Sequence, residues 1–151
     1  MPAMSEESRR AMRPTMTESA ALDVALRLLK VLERGGDGPV MDAALGHLLA
    51  DDVVIEEAPS RAQPHGARHG KAEALAQAAR GRAAFTSQSY QVQNATAEAD
   101  RVALEVRWSG TLAEARGELP AGATLRSRSA IFVDVRGGQI SALRTYDCFE
   151  P

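Results

Sequence analysis

Apolar positions along this chain keep two different periods, one in each half. In "TMTESAALDVALRLLKVLERGG", residues 15–36, Leu22, Leu26, Leu29 and Leu32 recur at helical spacing and predict a helix. Thr15 and Glu18 stand at capping-box spacing, with Ser19 as a rival cap, and Gly35-Gly36 supplies a stop. In "DGPVMDAALGHLLADD", Pro39 suits the first turn of a second helix. Its inner face is Met41, Leu45, Leu48 and Leu49, and Asp51 and Asp52 close it. "VVIEE" then reads as a strand. Residues 58–70 hold two prolines and two glycines and read as a loop. The alanine-rich "KAEALAQAARGRAA" that follows reads as a closely packed third helix.

After residue 85 the period drops to two. "TSQSYQVQNATAEA" alternates weakly, whereas "RVALEVRWSGTL" alternates clearly. Val102, Leu104, Val106 and Trp108 share one face there, and Ala103, Glu105 and Arg107 the other. "ARGELPAGA" is a turn-rich connection. "TLRSRSAIFVDVRGGQISALRTYDCF" is two strands joined at Gly137-Gly138. Helices first and antiparallel strands afterwards define an α+β chain, with helices laid on one face of a curved sheet.

Counting outward from Gly137-Gly138 sets an expected register. Arg136 faces Gln139, Phe132 faces Leu143, Ala130 faces Thr145 and Arg128 faces Asp147. Arg128 and Asp147 then become neighbours, and the opposite face holds Ile131, Val133, Val135, Ile140, Ala142 and Tyr146. Both faces carry apolar residues, so helices are expected on one side and a second subunit on the other. In the strand near residue 55, Val53, Ile55 and Glu57 point one way and Val54 and Glu56 the other. The two adjacent carboxylates therefore cannot act as a pair on one substrate. Glu57 continues the more apolar row and is the candidate to enter a cavity; a solvated strand end is the plainer alternative.

Length and composition narrow the classes. A chain of 151 residues, 44% hydrophobic and 25% charged, fits one globular domain. A formal charge of −2 with no basic run argues against nucleic acid. The apolar stretches are too short for a membrane helix. The lone Cys148 excludes an internal disulfide, has no resolving partner and is expected to be inert. "MPAMSEESRRAMRPTM" lacks a signal-peptide core, so residues 1–17 are expected to be a disordered leader, residues 18–151 the domain, and the protein cytoplasmic. His65 and His69 lack a third ligand, so no metal is expected, and His47 reads as a core-edge histidine.

The ordered set "LLADDVVIEEAP", "HGARHGKAEAL", "VALEVRWSGTL" and "AIFVDVRGGQISALRTYDCFEP" resembles the nuclear transport factor 2-like superfamily over about residues 20–151. That superfamily includes SnoaL-like polyketide cyclases, ketosteroid isomerases and limonene epoxide hydrolases. The resemblance implies a cone-shaped barrel, a strongly curved, mostly antiparallel sheet wrapped around three N-terminal helices. It implies an apolar pocket lined by Ile55, Leu104, Val106, Trp108, Phe132, Leu143 and Thr145, and a homodimer through the outer sheet face.

Carried over residue by residue, the resemblance puts Glu57 at the general-base position of ketosteroid isomerases. Their oxyanion donors are not matched: Leu29 stands near the place of the helical Tyr, and Ala130 at the place of the late-strand Asp. Without such donors a dienolate lacks several kcal/mol of stabilisation, which argues against steroid-type isomerisation. Of the Asp-Arg-Asp set of limonene epoxide hydrolases, Arg128 and Asp147 match, and Ala130 again replaces the third member. The resemblance thus implies Glu57, Arg128 and Asp147 as catalytic candidates, with Glu57 as base, Arg128 as electrophilic stabiliser and Asp147 as its orienter or a second acid–base group. A structural ion pair is the plainer reading of Arg128 and Asp147. The function implied is a small-molecule pocket protein acting by acid–base chemistry, as an isomerase, cyclase or dehydratase, without a cofactor, on an apolar organic substrate. The alternative is a non-catalytic ligand binder or dimeric assembly module.

Overall fold

The first helix opens on the capping box that the sequence carries. In the computed structural model, which describes residues 15–34 and 38–151 together with Ala3 and Ser5, α1 spans Met16–Arg34. The Glu18 N–H donates to Thr15 Oγ1 at 3.1 Å and the Thr15 N–H to Glu18 Oε2 at 2.8 Å. Each side chain so satisfies a backbone donor that the helix end leaves orphaned, and the Thr15 N–H holds the Glu18 carboxyl below its usual range. The expected leader lies mainly outside the described residues, and its last two positions, Met16 and Thr17, already belong to α1. The Gly35-Gly36 stop also lies outside them.

The buried face of α1 is rotated from the expected leucine stripe. Ala21, Val24, Ala25, Leu28 and Leu29 are buried, whereas Leu22, Leu26 and Leu32 pack at the margin. Two alanines on the inner face let the helix axis approach the sheet closely. Helix α2, Gly38–Leu48, ends before Asp51 and Asp52, because β1 already begins at Leu49 and runs to Glu57. Within the predicted loop lies a short strand, β2, Ala67–His69, which pairs with the end of β1. Helix α3, Lys71–Ala84, matches the alanine-rich stretch.

Strands β3 (Phe85–Glu98), β4 (Arg101–Leu112), β5 (Thr124–Arg136) and β6 (Gln139–Phe149) follow. The six described strands form one sheet in the order β2-β1-β6-β5-β4-β3, antiparallel except for β1 beside β6. The barrel expected is thus an open sheet with β2 and β3 as its edges. Its buried face is made by Val102, Leu104 and Val106 of β4, Ile131, Val133 and Val135 of β5, and Ile140 of β6. These residues join the α1 face and Leu45, Leu48, Leu49, Val53 and Ile55 in one apolar core. Among the described residues no helix is long and apolar enough to cross a membrane.

The turn at Gly137-Gly138 forms as expected, with both glycines at positive φ, 58° and 77°. Arg136 faces Gln139 and Val135 faces Ile140. There the expected register stops. A bulge admits Ser141 as an extra residue, so Asp134 pairs with Ala142 and every later pair shifts by one. Ser141 Oγ donates to the Asp134 carbonyl at 3.2 Å, which ties the bulge down. Phe132 now faces Arg144, Ala130 faces Tyr146, and Arg128 faces Cys148. A slip of one residue moves a strand's whole side-chain row to the other face. The expected Arg128–Asp147 pairing is therefore not formed. Arg128 is exposed on the outer face, and Phe132, 38% exposed, lies there too, edge-on to Tyr146. Tyr146 is exposed on the outer face, whereas Ile131, Val133, Val135 and Ile140, expected on the same face as Tyr146, are buried in the core.

Candidate active site

With the register corrected, Asp147 lies opposite Ser129, and Phe149 opposite Ser127. Ser127 and Ser129 are buried, continuing inward the row of Ile131, Val133 and Val135. Ser129 Oγ approaches Asp147 Oδ1 at 2.6 Å, and Ser127 Oγ approaches Ser129 Oγ at 3.2 Å. An ionised carboxylate only accepts, so Ser129 donates to Asp147 and Ser127 backs Ser129. The two hydroxyls fix the orientation of a carboxylate on a largely apolar wall.

Beside this group stand Tyr90 and Trp108, directly opposed on β3 and β4. Trp108 Nε1 donates to Gln88 Oε1 at 3.1 Å, and Tyr90 Oη to the same oxygen at 3.5 Å. Burial pushes the pKa of the Tyr90 hydroxyl up, and the Asp147 charge pushes it further. Tyr90 is thus a neutral donor throughout the physiological range. The Trp108 ring is clamped edge-on by Phe85 and Phe149, at centroid distances of 5.3 and 6.2 Å.

Gly110 makes room for that ring. A Cβ there would lie 2.6 Å from Trp108 Cζ2 and 2.8 Å from Phe85 Cδ1. Gly110→Ala is expected to destabilise the fold by about 1–3 kcal/mol through overpacking. It should also shift the emission maximum of the chain's single tryptophan. Unchanged emission and an unchanged urea midpoint would mean that the ring is not held against residue 110.

Glu57 keeps the orientation its alternation predicts. Val53 and Ile55 are buried, Glu57 is half-buried, and Glu56 turns to solvent, 3.4 Å from Arg68. Glu57 pairs across the sheet with Thr145, two residues before Asp147 on the same face. Gln77 Nε2 of α3 reaches Glu57 Oε2 at 3.4 Å. The Thr145 hydroxyl is buried and finds no hydrogen-bond partner among the described residues. Such a group carries a desolvation penalty that a polar ligand atom would relieve.

Two openings reach the ends of this wall, one at Glu57 and Thr145 and the other at Gln88; Asp147, Ser129, Tyr90 and Trp108 line neither. A groove of about 470 Å³ at the ends of β1 and β6 is lined by Glu57, Pro59, His65, Arg144, Thr145 and Tyr146, among others. A cleft of about 370 Å³ between α1 and α3 is lined by Leu32, Glu33, Arg82, Phe85 and Gln88, among others. Ile55, Leu104 and Val106, expected to line the pocket, are packed in the core at 6%, 2% and 2% exposure and belong to neither lining. Leu143 packs against the core from the same face. Thus the structure brings together Asp147, Thr145 and Glu57 along one inner face, with Trp108 on the same face farther across the sheet. It separates Arg128 and Phe132 from them.

Sequence reasoning missed Ser127, Ser129, Tyr90 and Gln88. One signal for the serines was available. The odd-numbered row of β5 from Ser127 to Val135 is free of charge, whereas the even row carries Arg126, Arg128, Asp134 and Arg136. Among the described residues no cluster of three or more His, Cys, Asp or Glu side chains is arranged to hold a metal ion.

The fold has many known counterparts. A candidate SnoaL-like polyketide cyclase from Jannaschia sp. CCS1 superposes with a TM-score of 0.72 at 18% identity, covering 90% of each chain. IdmH, a candidate polyketide cyclase from Streptomyces antibioticus, gives 0.69 at 23% identity, covering 84% of this chain and 91% of its own. An LEH-like epoxide hydrolase from M. tuberculosis gives 0.66 at 15% identity, covering 88% and 84%. At these identities the likeness shows the fold. Comparison with curated proteins yields no match. The SnoaL-like domain family matches residues 26–143, well over half of the sequence, and the chain belongs to that family.

Proposed function

We propose that this protein catalyses proton transfer at carbon on a small, largely apolar carbonyl compound, with Asp147 as the base and no cofactor. The observation that carries this reading is the Asp147 carboxylate on the helix-facing side of the sheet, held by Ser129 at 2.6 Å. A fixed carboxylate in partly apolar surroundings is the group that takes a proton from a carbon next to a carbonyl. The C–H electron pair becomes the enolate double bond, and the carbonyl π electrons move onto oxygen. Attack of that enolate on a second carbonyl of the same molecule closes a ring, and Asp147 returns its proton to the new alkoxide. Glu57 lies farther along the same face, beside the buried Thr145 hydroxyl, and orients the far end of the substrate. In this reading the sheet curves as a cone around α1 and α3. The candidate cyclases among its structural neighbours point to polyketide-like substrates.

The test is hydrogen exchange at carbon. The protein is incubated in D2O with a panel of small cyclic ketones and diketones, and loss of the α-proton signals is followed by NMR. Exchange that is faster than in buffer and depends on Asp147 supports the reading; exchange unchanged in Asp147→Asn overturns it. A non-catalytic binder is the second reading, favoured by the packing of Leu104 and Val106 into the core rather than around an enclosed cavity. Quenching of Trp108 emission by panel members, with no exchange of any of them, would select it.

The outer sheet face fits a second copy of the chain. Phe132 and Tyr146, 38% and 50% exposed, stand edge-on at a centroid distance of 5.8 Å in the open. Charges of both signs surround them, including the Arg144–Asp134 pair at 3.2 Å. A two-fold interface places such a patch against itself. Light scattering is expected to give twice the chain mass for the wild type, and a monomer for Tyr146→Glu at micromolar concentration. A wild-type monomer rules the dimer out.

A further inference from the structure

The hydrogen bonds of Tyr90 and Trp108 converge. Two donors from neighbouring strands, a phenol and an indole N–H, aim at one acceptor, the side-chain oxygen of Gln88. Paired donors fixed on one point stabilise an oxygen that gains charge, because they need no reorganisation when the charge appears. The indole is held independently of that oxygen. Tyr90 and Trp108 are opposed in the ladder, and the indole is clamped between Phe85 and Phe149. Gln88 stands at the opening. It is half-buried, lines the cleft between α1 and α3, and has its amide nitrogen beside Gly81, where a Cβ would come within 3.5 Å. The residue that occupies the convergence point is thus the one in contact with the opening.

We propose that Tyr90 and Trp108 form a two-donor seat for an anionic oxygen of the ligand, an enolate or a phenolate, and that the Gln88 amide oxygen fills this seat until a ligand displaces it. The proposal deepens the reading of Asp147 as a base and rests on it in one respect. Proton transfer neutralises Asp147 as charge appears on the substrate oxygen, so the negative charge passes from the carboxylate to the seat. Burial and the Asp147 charge both keep the Tyr90 hydroxyl protonated, so it remains a donor. The helical Tyr and late-strand Asp that Leu29 and Ala130 leave unmatched are replaced, in this arrangement, by donors on β3 and β4.

The experiment uses 4-nitrophenol, whose ionised form absorbs visible light, with the full-length protein. Binding is read by quenching of Trp108 emission, by displacement where Trp108 is changed, and by the ionised fraction of the bound probe. Asp147→Asn, which mimics the protonated carboxyl, is expected to bind the phenolate more tightly than the wild type. In that background Tyr90→Phe and Trp108→Phe should each weaken phenolate binding by about tenfold or more. Gln88→Ala, which vacates the seat, should strengthen it several-fold, and this variant leaves both donors in place should either donor substitution unfold the protein. Undiminished binding in Tyr90→Phe and Trp108→Phe overturns the proposal, and so does weakened binding in Gln88→Ala. Failure of the phenolate to bind Asp147→Asn overturns it as well. The outcomes separate from those of the exchange assay: Asp147-dependent exchange without phenolate binding leaves the base and removes the seat. Phenolate binding through Tyr90 and Trp108 with exchange indifferent to Asp147 does the reverse.

Discussion

Replacing Asp147 with asparagine is expected to slow α-proton exchange by a factor of about 10²–10⁴, the usual contribution of a positioned general base. The substitution is a narrow one. An amide has nearly the shape of a carboxylate, and its oxygen still accepts from Ser129, which now stands 2.6 Å from Asp147 Oδ1. What is lost is the capacity to take a proton. Removing the charge also relieves the neighbouring Tyr90 hydroxyl, so its pKa should fall back towards the usual phenol value, though burial still holds it up. A urea titration run beside the kinetics separates chemistry from folding. Exchange lost with an unchanged midpoint assigns the loss to the base, whereas exchange at the wild-type rate leaves Asp147 as a structural carboxylate.

Leu104→Ala carries the largest expected loss of stability, about 3 kcal/mol within the 2–5 kcal/mol range of buried leucines. Leu104 is 2% exposed and sits mid-sheet, opposite Ala95 on one side and Ile131 on the other. The small Ala95 cannot fill the vacated space, and strands hydrogen-bonded on both sides cannot collapse into it. The midpoint of urea unfolding should drop by about 1–2 M for an ordinary dependence on denaturant. Phe132→Ala makes the contrast, since that ring lies on the outer face, and under monomeric conditions its loss should cost less than about 1 kcal/mol. If the two substitutions proved equally damaging, the assignment of inner and outer faces would be wrong.

That contrast also marks how far the sequence could be read. The capping box at Thr15 and Glu18 forms as its spacing predicts, because it needs only four consecutive residues. The bounds of α3, β4, β5 and β6 follow from composition and period, and the diglycine turn from the one conformation that two adjacent positive φ angles favour. The inward direction of Glu57 follows from alternation within a single strand. Each of these rests on local chemistry.

The site itself was not local. Its candidate residues come from β1, β3, β4, β5 and β6, and irregularities in pairing decide which of them meet: the bulge at Ser141 for Ser129 and Asp147, and a shift between Val92 and Asn94 for Tyr90 and Trp108. Before the bulge, both rows of β5 were apolar enough to face a core, Ile131, Val133 and Val135 on one side and Ala130 and Phe132 on the other. Counting from the turn took no account of the charges confined to the even row of β5, the one signal that could have corrected it. Ser141 added one residue to one strand, which exchanged the faces of β5 relative to β6 and put Ser129 rather than Arg128 beside Asp147. The chain alone determined where its helices and strands lie, since propensity, capping and period act over a few residues. Which side chains share the inner wall was decided only when the strands paired, because a single unpaired residue reverses a whole row at little local cost.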